Sequence, residues 1–315
     1  MLRGVSLNNM EAELNAITLE LGKAGDIVMS LALALMMFAV ALGLKVESFA
    51  AVKDRPKPFI AGALAQIIGL PLLTLGLVYL LNPLPSLALG MIIVASCPGG
   101  SVSNLIAMFG RANTALSVSL TATSSLLAAV ITPISIVFWC SLYPPTANIL
   151  KSVDFDTLAF LLKLLLILGL PVLVGMVIAT KFPAIAKRIQ GPVAGIGAVL
   201  LAIIIIGAVT AFWGTIVKFG HILFPLVILH NALAFLLGYI AARSAGGNTG
   251  ERRALTIETG IQNSGIAIVI LLTQLKGLGG AAAIAGIWGT WHIIGGLFLV
   301  AIWRALDTRK RRADV

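Results

Sequence analysis

Long apolar runs, separated by short polar and charged stretches, form the main pattern of this chain. Nine of these runs are long enough to supply the ~20 residues that a helix needs to cross a bilayer. They cover residues 26–46, 58–81, 84–109, 113–143, 155–180, 191–217, 220–243, 253–275 and 278–304. A transmembrane barrel would instead show shorter segments of alternating apolar and polar residues. The pattern therefore predicts an all-α polytopic membrane protein with nine transmembrane helices.

The N-terminal stretch, residues 1–25, has a different pattern. Leu14, Ile17 and Leu21 recur at helical spacing among polar residues and three glutamates. This pattern predicts a short amphipathic helix over residues 8–24 that lies in the membrane interface instead of spanning the bilayer. The glutamates and the lack of an apolar core in this stretch also argue against a cleavable signal peptide.

The charged residues support this count of spans. Only 11% of residues are charged and the mean hydropathy is +1.05, whereas soluble domains carry about 25% charged residues. Of the 22 Lys and Arg residues, sixteen fall on one side of the predicted spans, five fall on the other, and Lys163 lies within a span. Because cytoplasmic loops are rich in Lys and Arg, this bias predicts an outside N-terminus and a cytoplasmic C-terminus in the cell membrane. Orientation also explains the net charge of +10 better than binding to nucleic acid.

The third apolar segment is interrupted at residues 97–104, with the sequence Cys-Pro-Gly-Gly-Ser-Val-Ser-Asn. Proline lacks a backbone donor and glycine loosens the backbone, so we expect the helix to break here. A break inside the membrane is tolerated only where protein or a wet cavity satisfies the freed backbone groups. The hydroxyl and amide side chains therefore predict a polar site near the membrane midplane. The alternative is a proline kink whose hydroxyls bond to their own helix.

A second interrupted segment lies at the matching place in the other half of the chain. Residues 258–265, Glu-Thr-Gly-Ile-Gln-Asn-Ser-Gly, interrupt the eighth segment as residues 97–104 interrupt the third. Two sets of four segments then repeat in opposite orientation, and the fifth segment joins them. Interrupted helices at corresponding places in inverted halves are typical of the binding site of a secondary transporter.

Glu258 is the only acidic residue placed well within a predicted span. A carboxylate there is costly and usually functional, although a later start of the segment would leave it at the cytoplasmic edge beside Arg252 or Arg253. Neutral oxygens surround it in the sequence, and hard cations such as sodium take oxygen ligands. The oxygen-bearing side chains of the breaks and of two other spans are Gln66, Ser101, Ser103, Asn104, Ser117, Thr121, Gln262, Asn263 and Ser264. The alternatives are back-bonding of the hydroxyls to the preceding turn and an inter-helix hydrogen bond from Gln66.

The other residues with reactive side chains do not predict an enzyme. His230-Asn231 and His292 lie in separate spans, and a hydrogen bond to a neighbour explains each histidine better than a metal or proton site. Cys97 and Cys140 both lie in apolar runs, so no disulfide framework is implied. The sequence contains no P-loop motif and no nucleophile–base pair. We expect no cofactor, no metal other than sodium, and no nucleic-acid or protein partner.

Three stretches, CPGGSVSN, ALSVSLTATSSLLA and ETGIQNSGIA, resemble the signatures of the bile acid:sodium symporter family. The resemblance extends from about residue 26 to residue 304. It implies a core domain with two crossed discontinuous helices and a separate panel domain. The implied division is residues 58–143 and 220–304 for the core, residues 26–57 and 155–219 for the panel, and residues 305–315 for a basic cytoplasmic tail.

The resemblance also implies roles for individual residues. One sodium site would use Ser103, Asn104, Ser117, Thr121 and Glu258. A second sodium site would use Gln66, Glu258, Gln262 and the carbonyl groups of Thr259 and Ile261. The substrate would lie near Ser101, Asn263 and His292. Ile293 stands where some members have Asn, and this loss of a polar contact argues against bile acid as the natural substrate. The substrate classes that the resemblance implies are a bile acid or a smaller carboxylate, such as pantoate or pyruvate.

Together these features predict a sodium-coupled symporter of an organic anion that works by alternating access, with two sodium ions as coupling ions. A proton-coupled transporter of the same fold is one alternative, with Glu258 and a histidine as carriers. A membrane sensor or channel that does not transport by coupling is another.

Overall fold

The computed structural model describes residues 12–14, 22–44, 49, 53–152, 156–211, 213–275 and 278–313. Most of the amphipathic helix predicted for residues 8–24 lies outside these ranges. The helices are α1 Gly22–Gly43, α2 Pro56–Leu81, α3 Pro85–Ala95, α4 Val102–Phe109, α5 Thr114–Leu142, α6 Pro144–Ser152, α7 Thr157–Lys181, α8 Pro183–Ala211, α9 Trp213–Ser244, α10 Thr249–Gly260, α11 Ser264–Gln274 and α12 Gly279–Ala313. The described residues form no β-strand beyond one isolated bridge, so the all-α prediction is confirmed.

Six of the described helices are long and apolar enough to cross a membrane, namely α1, α2, α5, α7, α9 and α12. Two more, α3 and α11, are apolar but short. Each of these short helices is paired in sequence with another half-helix, α4 after α3 and α10 before α11. The chain is therefore a multi-pass membrane protein.

The two breaks in the apolar segments lie against each other. Helix α3 ends at Ala95 and α4 begins at Val102, while α10 ends at Gly260 and α11 begins at Ser264. The Gly100 amide donates to the Ile261 carbonyl at 3.1 Å, and the Asn263 amide donates to the Pro98 carbonyl at 2.8 Å. These two bonds form an antiparallel bridge between the breaks, and they satisfy backbone groups that lipid could not.

The half-helices around this bridge form the centre of the molecule. Nearly all residues of α3 and α11 are buried, and α12 packs along both of them. Trp288 of α12 is one of the largest fully buried side chains. The burial of both short helices explains why their sequences are apolar on every face.

Helices α2 and α7 each contain one π-helical turn, at Ala65–Gly69 and Leu165–Gly169. Both turns are followed by Leu-Pro, at Pro71 and Pro171. A proline ring clashes with the carbonyl four residues earlier, and a wider turn is one way to relieve that clash. Such turns are frequent at functional sites, and Gln66 lies in the first of them.

Several helices extend beyond the predicted apolar segments. Helix α8 begins at Pro183 instead of residue 191, α9 begins at Trp213 instead of residue 220, and α10 begins at Thr249 instead of residue 253. Helix α12 continues to Ala313 and includes most of the predicted tail. Hydropathy marks where the membrane ends, whereas charged residues such as Lys and Arg are good helix formers outside it.

Ion pairs and hydrogen bonds of charged side chains link these extensions to each other at the ends of the spans where most Lys and Arg residues lie. Arg253 of α10 pairs with Asp307 of α12 at 2.6 Å and donates to the Gly110 carbonyl at 3.1 Å. Arg304 donates to the Phe109 carbonyl at 2.7 Å. The ends of α4, α10 and α12 are therefore linked.

Candidate functional site

A cage of oxygen atoms surrounds the carboxylate of Glu258 on α10. Oε1 accepts hydrogen bonds from Ser117 Oγ at 2.9 Å, from Thr121 Oγ1 at 2.6 Å and from Ser103 Oγ. Oε2 lies 3.0 Å from Thr121 Oγ1. Asn104 Oδ1 accepts from Ser117 at 2.9 Å and from Thr121 at 3.3 Å. The structure thus brings together all five residues expected for the first sodium site.

The cage holds more acceptors than hydrogens. Ser117 lies within bonding distance of two acceptors, and Thr121 lies within bonding distance of both carboxylate oxygens, Asn104 Oδ1 and the Ser117 carbonyl. Each hydroxyl has only one hydrogen to donate. The Thr121 hydroxyl can therefore donate to only one of these four acceptors at a time. A cation would satisfy the excess of oxygen lone pairs.

Local structure places each member of the cage. Helix α4 begins one residue before Ser103, so Ser103 and Asn104 project from its first turn. Ser117 and Thr121 are four residues apart and lie on one face of α5. Glu258 lies in the last turn of α10, two residues before the break. The helix begins at Thr249, before the predicted start of the segment, and Glu258 is only 1% exposed and forms no ion pair with Arg252 or Arg253.

Two buried glutamates of α10 differ in how their charge is balanced. Glu251 pairs with Arg55 through two contacts of 2.7 and 2.8 Å, and it also closes a capping box with Asn248. Glu258 has no such partner: among the described residues, no Lys, Arg or His forms an ion pair with it. A buried charge without a partner is expensive, so the Glu258 site is suited to an external cation.

A second polar group lies next to the cage. Gln66 Nε2 donates to the Glu258 carbonyl at 3.1 Å, and Gln262 Nε2 donates to the Thr259 carbonyl at 2.9 Å. Gln262 Oε1 and Thr259 Oγ1 are buried and have no hydrogen-bond partner. The Ile261 carbonyl accepts from the Gly100 amide. The members of the expected second sodium site are therefore close together in the fold, and one expected ligand oxygen, Gln262 Oε1, is unsatisfied.

Gly99 is the point at which these groups meet. A Cβ atom at this position would lie 2.6 Å from Gln66 Nε2, 3.2 Å from Glu258 Oε2 and 3.4 Å from Ser124 Oγ. The Gly99 amide also donates to Ser124 Oγ at 3.3 Å. Any larger residue would occupy the space between the carboxylate and the two neighbouring polar side chains, and this explains the need for glycine after Pro98.

A cavity of about 470 Å³ lies beside the bridge between the breaks. Helices α1 and α8 form one wall, and α4, α5, α11 and α12 contribute to the other. Ser101, Asn263 and His292, the three residues expected to contact substrate, all line it, and so does Ile293. His292 is buried, and its Nδ1 has no hydrogen-bond partner. The volume lies in the range typical of sites for small molecules.

Two helix N-termini border this cavity. Ser101 and Asn263 are the residues that precede the first turns of α4 and α11, and both line the cavity. The Asn263 side chain accepts from the Ile266 amide at 3.2 Å. A helix N-terminus carries a partial positive charge, so these two half-helices favour a negatively charged group between them.

Two polar residues near the site have roles that the sequence did not indicate. Ser124 continues the Ser117 and Thr121 face of α5 by one turn, and this spacing was the signal that could have identified it. Asn231 donates to the Gly260 carbonyl at 2.7 Å, where the break leaves that carbonyl without its helical partner. His230 bonds to Thr74 at 2.7 Å, as expected for a buried histidine with a structural role.

Comparison with known proteins places this geometry in a family. The model of the sodium bile acid symporter family matches residues 30–218. A Bacillus subtilis protein named uncharacterized sodium-dependent transporter YocS is 29% identical over 290 residues, which are 89% of this chain and 84% of that protein. The Arabidopsis thaliana protein named probable sodium/metabolite cotransporter BASS1, chloroplastic, is 31% identical over 274 residues, which are 86% of this chain and 65% of that protein. The human ileal sodium/bile acid cotransporter is 29% identical over 248 residues, which are 78% of this chain and 68% of that protein. The chain therefore belongs to the sodium bile acid symporter family, and its relatives are transporters, not enzymes.

Proposed function

We propose that this protein is a sodium-coupled symporter that carries an organic anion across the cell membrane by alternating access. The observation that carries the proposal is the unpaired, buried carboxylate of Glu258 in its cage of hydroxyl and amide oxygens. Membership of the family supports sodium as the coupling ion. A bile acid or a smaller carboxylate such as pantoate or pyruvate is the proposed substrate class.

The first sodium ion binds in the cage of Ser103, Asn104, Ser117, Thr121 and Glu258. The ion neutralises the carboxylate. It also coordinates the oxygen lone pairs that receive no hydrogen bond from the three hydroxyl groups. Hard cations prefer such oxygen ligands. Because the cage joins α4, α5 and α10, an ion there draws together both interrupted helices.

The second sodium ion binds between Gln66, Glu258 and Gln262, with the carbonyls of Thr259 and Ile261. This placement gives a partner to Gln262 Oε1, which has none in the structure. The π-helical turn of α2 sets the position of Gln66 against the break in α10. Glu258 contacts both ions, so one carboxylate couples the two sites.

The anion binds in the cavity beside the bridge. None of the described residues that line the cavity is Lys or Arg, so the positive ends of α4 and α11 and the nearby sodium ions hold its charge. Ser101, Asn263 and His292 supply hydrogen-bonding groups. An anion that depends on sodium charge for its binding site is taken up only when sodium is bound, and this dependence is the basis of coupling.

Nine spans account for the membrane topology. Six are the long apolar helices, one is α8, and the remaining two are the interrupted pairs α3–α4 and α10–α11. We propose that α1, α7 and α8 form the panel and that α2–α5 with α9–α12 form the core, in two inverted repeats. With the N-terminus outside, the cavity lies towards the cytoplasmic ends of α1 and α8. Movement of the core against the panel then exposes the site to either side.

The membrane potential contributes to uptake. Each net positive charge that moves inward gains about 2.3 kcal/mol per 100 mV. Two sodium ions with one monovalent anion carry one net positive charge. Uptake in this stoichiometry therefore increases when the interior is made more negative.

Uptake by proteoliposomes tests the proposal. The purified protein is supplied with labelled organic anions at fixed pH, first with external sodium and then with choline in its place. The expected result is saturable uptake that requires sodium. Uptake that persists in choline and follows an imposed pH gradient would establish the proton-coupled alternative, and unsaturable flux would establish a channel. A thermal-shift screen of anions with and without sodium selects the substrates, because ligand binding raises stability by RT ln(1 + [L]/Kd).

A further inference from the structure

A small chamber lies beside the first break and shares no lining residue with the large cavity. Its volume is about 20 Å³, which is enough for one water molecule or one dehydrated ion. Its polar lining comes from Gln66 of α2, Ser96 at the end of α3, and Ser124 and Thr132 of α5. The chamber is too small for an organic anion of the class proposed above.

Two hydroxyls in this region have no partner. Ser96 Oγ lines the chamber and makes no hydrogen bond, although its residue is only 6% exposed. Ser135 Oγ, about one turn beyond Thr132 on α5, is also without a bond and its residue is 7% exposed. A buried polar atom left unsatisfied costs about 1–3 kcal/mol. Because Ser135 does not line the chamber, it is the unsatisfied Ser96 hydroxyl that indicates a polar ligand there.

Hydroxyls on α5 connect the chamber with the cage. Ser117, Thr121, Ser124, Thr132 and Ser135 follow one another at intervals of three, four or eight residues, which keeps them near one face of the helix. All five are buried. From Thr132 the helix continues for ten residues to Leu142, or about 15 Å at 1.5 Å per residue. The chamber therefore lies beyond the cage, towards the end of α5 that the charge bias assigns to the outside.

Gly99 lies close both to residues of the chamber and to the Glu258 carboxylate. Gln66 and Ser124 line the chamber, and both approach the position of a Gly99 Cβ, as does Glu258 Oε2. A side chain at Gly99 would fill the space where these three groups meet. A cation in the chamber would be attracted by the negative charge of Glu258 and would find neutral oxygens around it.

We infer that this chamber is a transient sodium-binding site on the outer side of the bridge between the breaks, and that sodium passes through it to reach the Glu258 cage. The inference rests on the proposed sodium coupling and outward orientation of the α5 C-terminus. It assigns Ser96, Ser124 and Thr132 as oxygen ligands of a partly dehydrated sodium ion in transit. Sodium then reaches the bridge from the chamber, and the substrate reaches it from the large cavity. The volume of each space matches the size of its ligand.

Silver ions provide a direct probe, because Cys97 also lines the chamber. Ag⁺ is a monovalent cation that reacts with a thiol by forming an S–Ag bond and releasing the proton. The chain has two cysteines, both free and buried. C140A leaves Cys97 as the only thiol, and C97A leaves Cys140, which does not line the chamber. External Ag⁺ should inactivate sodium-dependent uptake by C140A proteoliposomes and leave C97A active.

Sodium should protect Cys97 in this assay. At a sodium concentration ten times its dissociation constant, about one chamber in eleven remains free, so the rate of inactivation should fall about tenfold. Choline at the same concentration should give no protection. Inactivation that is equally fast in sodium and in choline, or a Cys97 that does not react, would overturn the inference.

A second pair of variants gives an independent readout. T132V removes a hydroxyl of the chamber. T123V is the control, because the Thr123 hydroxyl bonds back to the Ser119 carbonyl at 2.8 Å and Thr123 lines neither the chamber nor the large cavity. T132V should slow sodium-dependent uptake at least several-fold while the affinity of the Glu258 cage for sodium stays unchanged, whereas T123V should match the parent. Equal uptake by both variants would contradict the chamber role. If the parent shows no sodium dependence at all, the proposed function fails instead.

Discussion

Glu258→Gln is the substitution that tests the candidate site most directly. The two side chains have nearly the same shape, so the change removes the charge and keeps the volume. A unit charge pair 4 Å apart contributes about 4 kcal/mol at the effective dielectric constant of 20 that suits protein sites. At 1.4 kcal/mol per factor of ten, we expect sodium affinity to fall about 1,000-fold.

The same substitution should stabilise the sodium-free protein. The carboxylate is buried and unpaired, and a neutral amide avoids the cost of burying that charge. The midpoint of thermal unfolding without sodium should therefore rise or stay constant, while the increase that sodium gives to the parent should disappear. Opposite effects on stability and on binding distinguish loss of a ligand from loss of the fold.

Glu251→Gln is the matched control. Glu251 lies on the same helix and is equally buried, but Arg55 balances its charge. This variant should lower the unfolding midpoint and keep the response to sodium. Sodium binding is measured by calorimetry and by the sodium-dependent shift of the midpoint. If Glu258→Gln binds sodium within fivefold of the parent, Glu258 is not a sodium ligand and the assignment of the cage is wrong.

Three other substitutions test separate parts of the site. Ser117→Ala removes a cage oxygen and should weaken sodium binding about tenfold, or about 1.4 kcal/mol. Ser119→Ala, which removes a hydroxyl bonded to its own helix at 2.9 Å, should leave sodium binding unchanged. Equal affinities of the two variants would exclude the cage hydroxyls as ligands. Gly99→Ala should cost about 1–3 kcal/mol by overpacking and reduce sodium binding at least tenfold, while Gly76→Ala, which meets nothing within 4 Å, should be neutral in the same calorimetric assay. Arg55→Ala leaves a buried carboxylate without its cation and should lower stability by about 1–3 kcal/mol with little change in sodium affinity; an unchanged unfolding midpoint would contradict it.

The sequence was sufficient to predict the all-α fold and the interrupted helices, because lipid imposes simple rules. Long apolar runs must be helices, and Pro98 next to two glycines cannot continue one. Glu258, the only acidic residue placed well within a predicted span, was identifiable for the same reason. These predictions need only the sequence of each segment, because the lipid environment is nearly the same along the whole apolar part of a span.

Other features depend on contacts between distant segments, which the pattern of one segment does not contain. The π-helical turn that positions Gln66 follows from relief of the Pro71 clash, and a kink would have been an equally good solution. Ser124 was overlooked because a hydroxyl on a helix usually bonds to its own preceding turn, and it does so here as well, at 3.2 Å to the Thr121 carbonyl. Only the fold shows that Gly99 lies against it.

The short helix α6 was not predicted because it begins with Pro144-Pro145. Proline is favoured in the first turn of a helix as well as in loops, and the segment is too polar to show an apolar run. The length of α9 and α12 was underestimated for a related reason. Helix propensity continues through charged residues, whereas hydropathy does not.

The bridge between the two breaks has a consequence for how such a protein changes over evolutionary time. Its two hydrogen bonds, from Gly100 to Ile261 and from Asn263 to Pro98, use only peptide groups. Substitution of the side chains at Ser101 or Asn263 leaves those peptide groups in place. Mutation can therefore change which anion is bound without breaking the bridge. One backbone arrangement can thus support related proteins with different substrates.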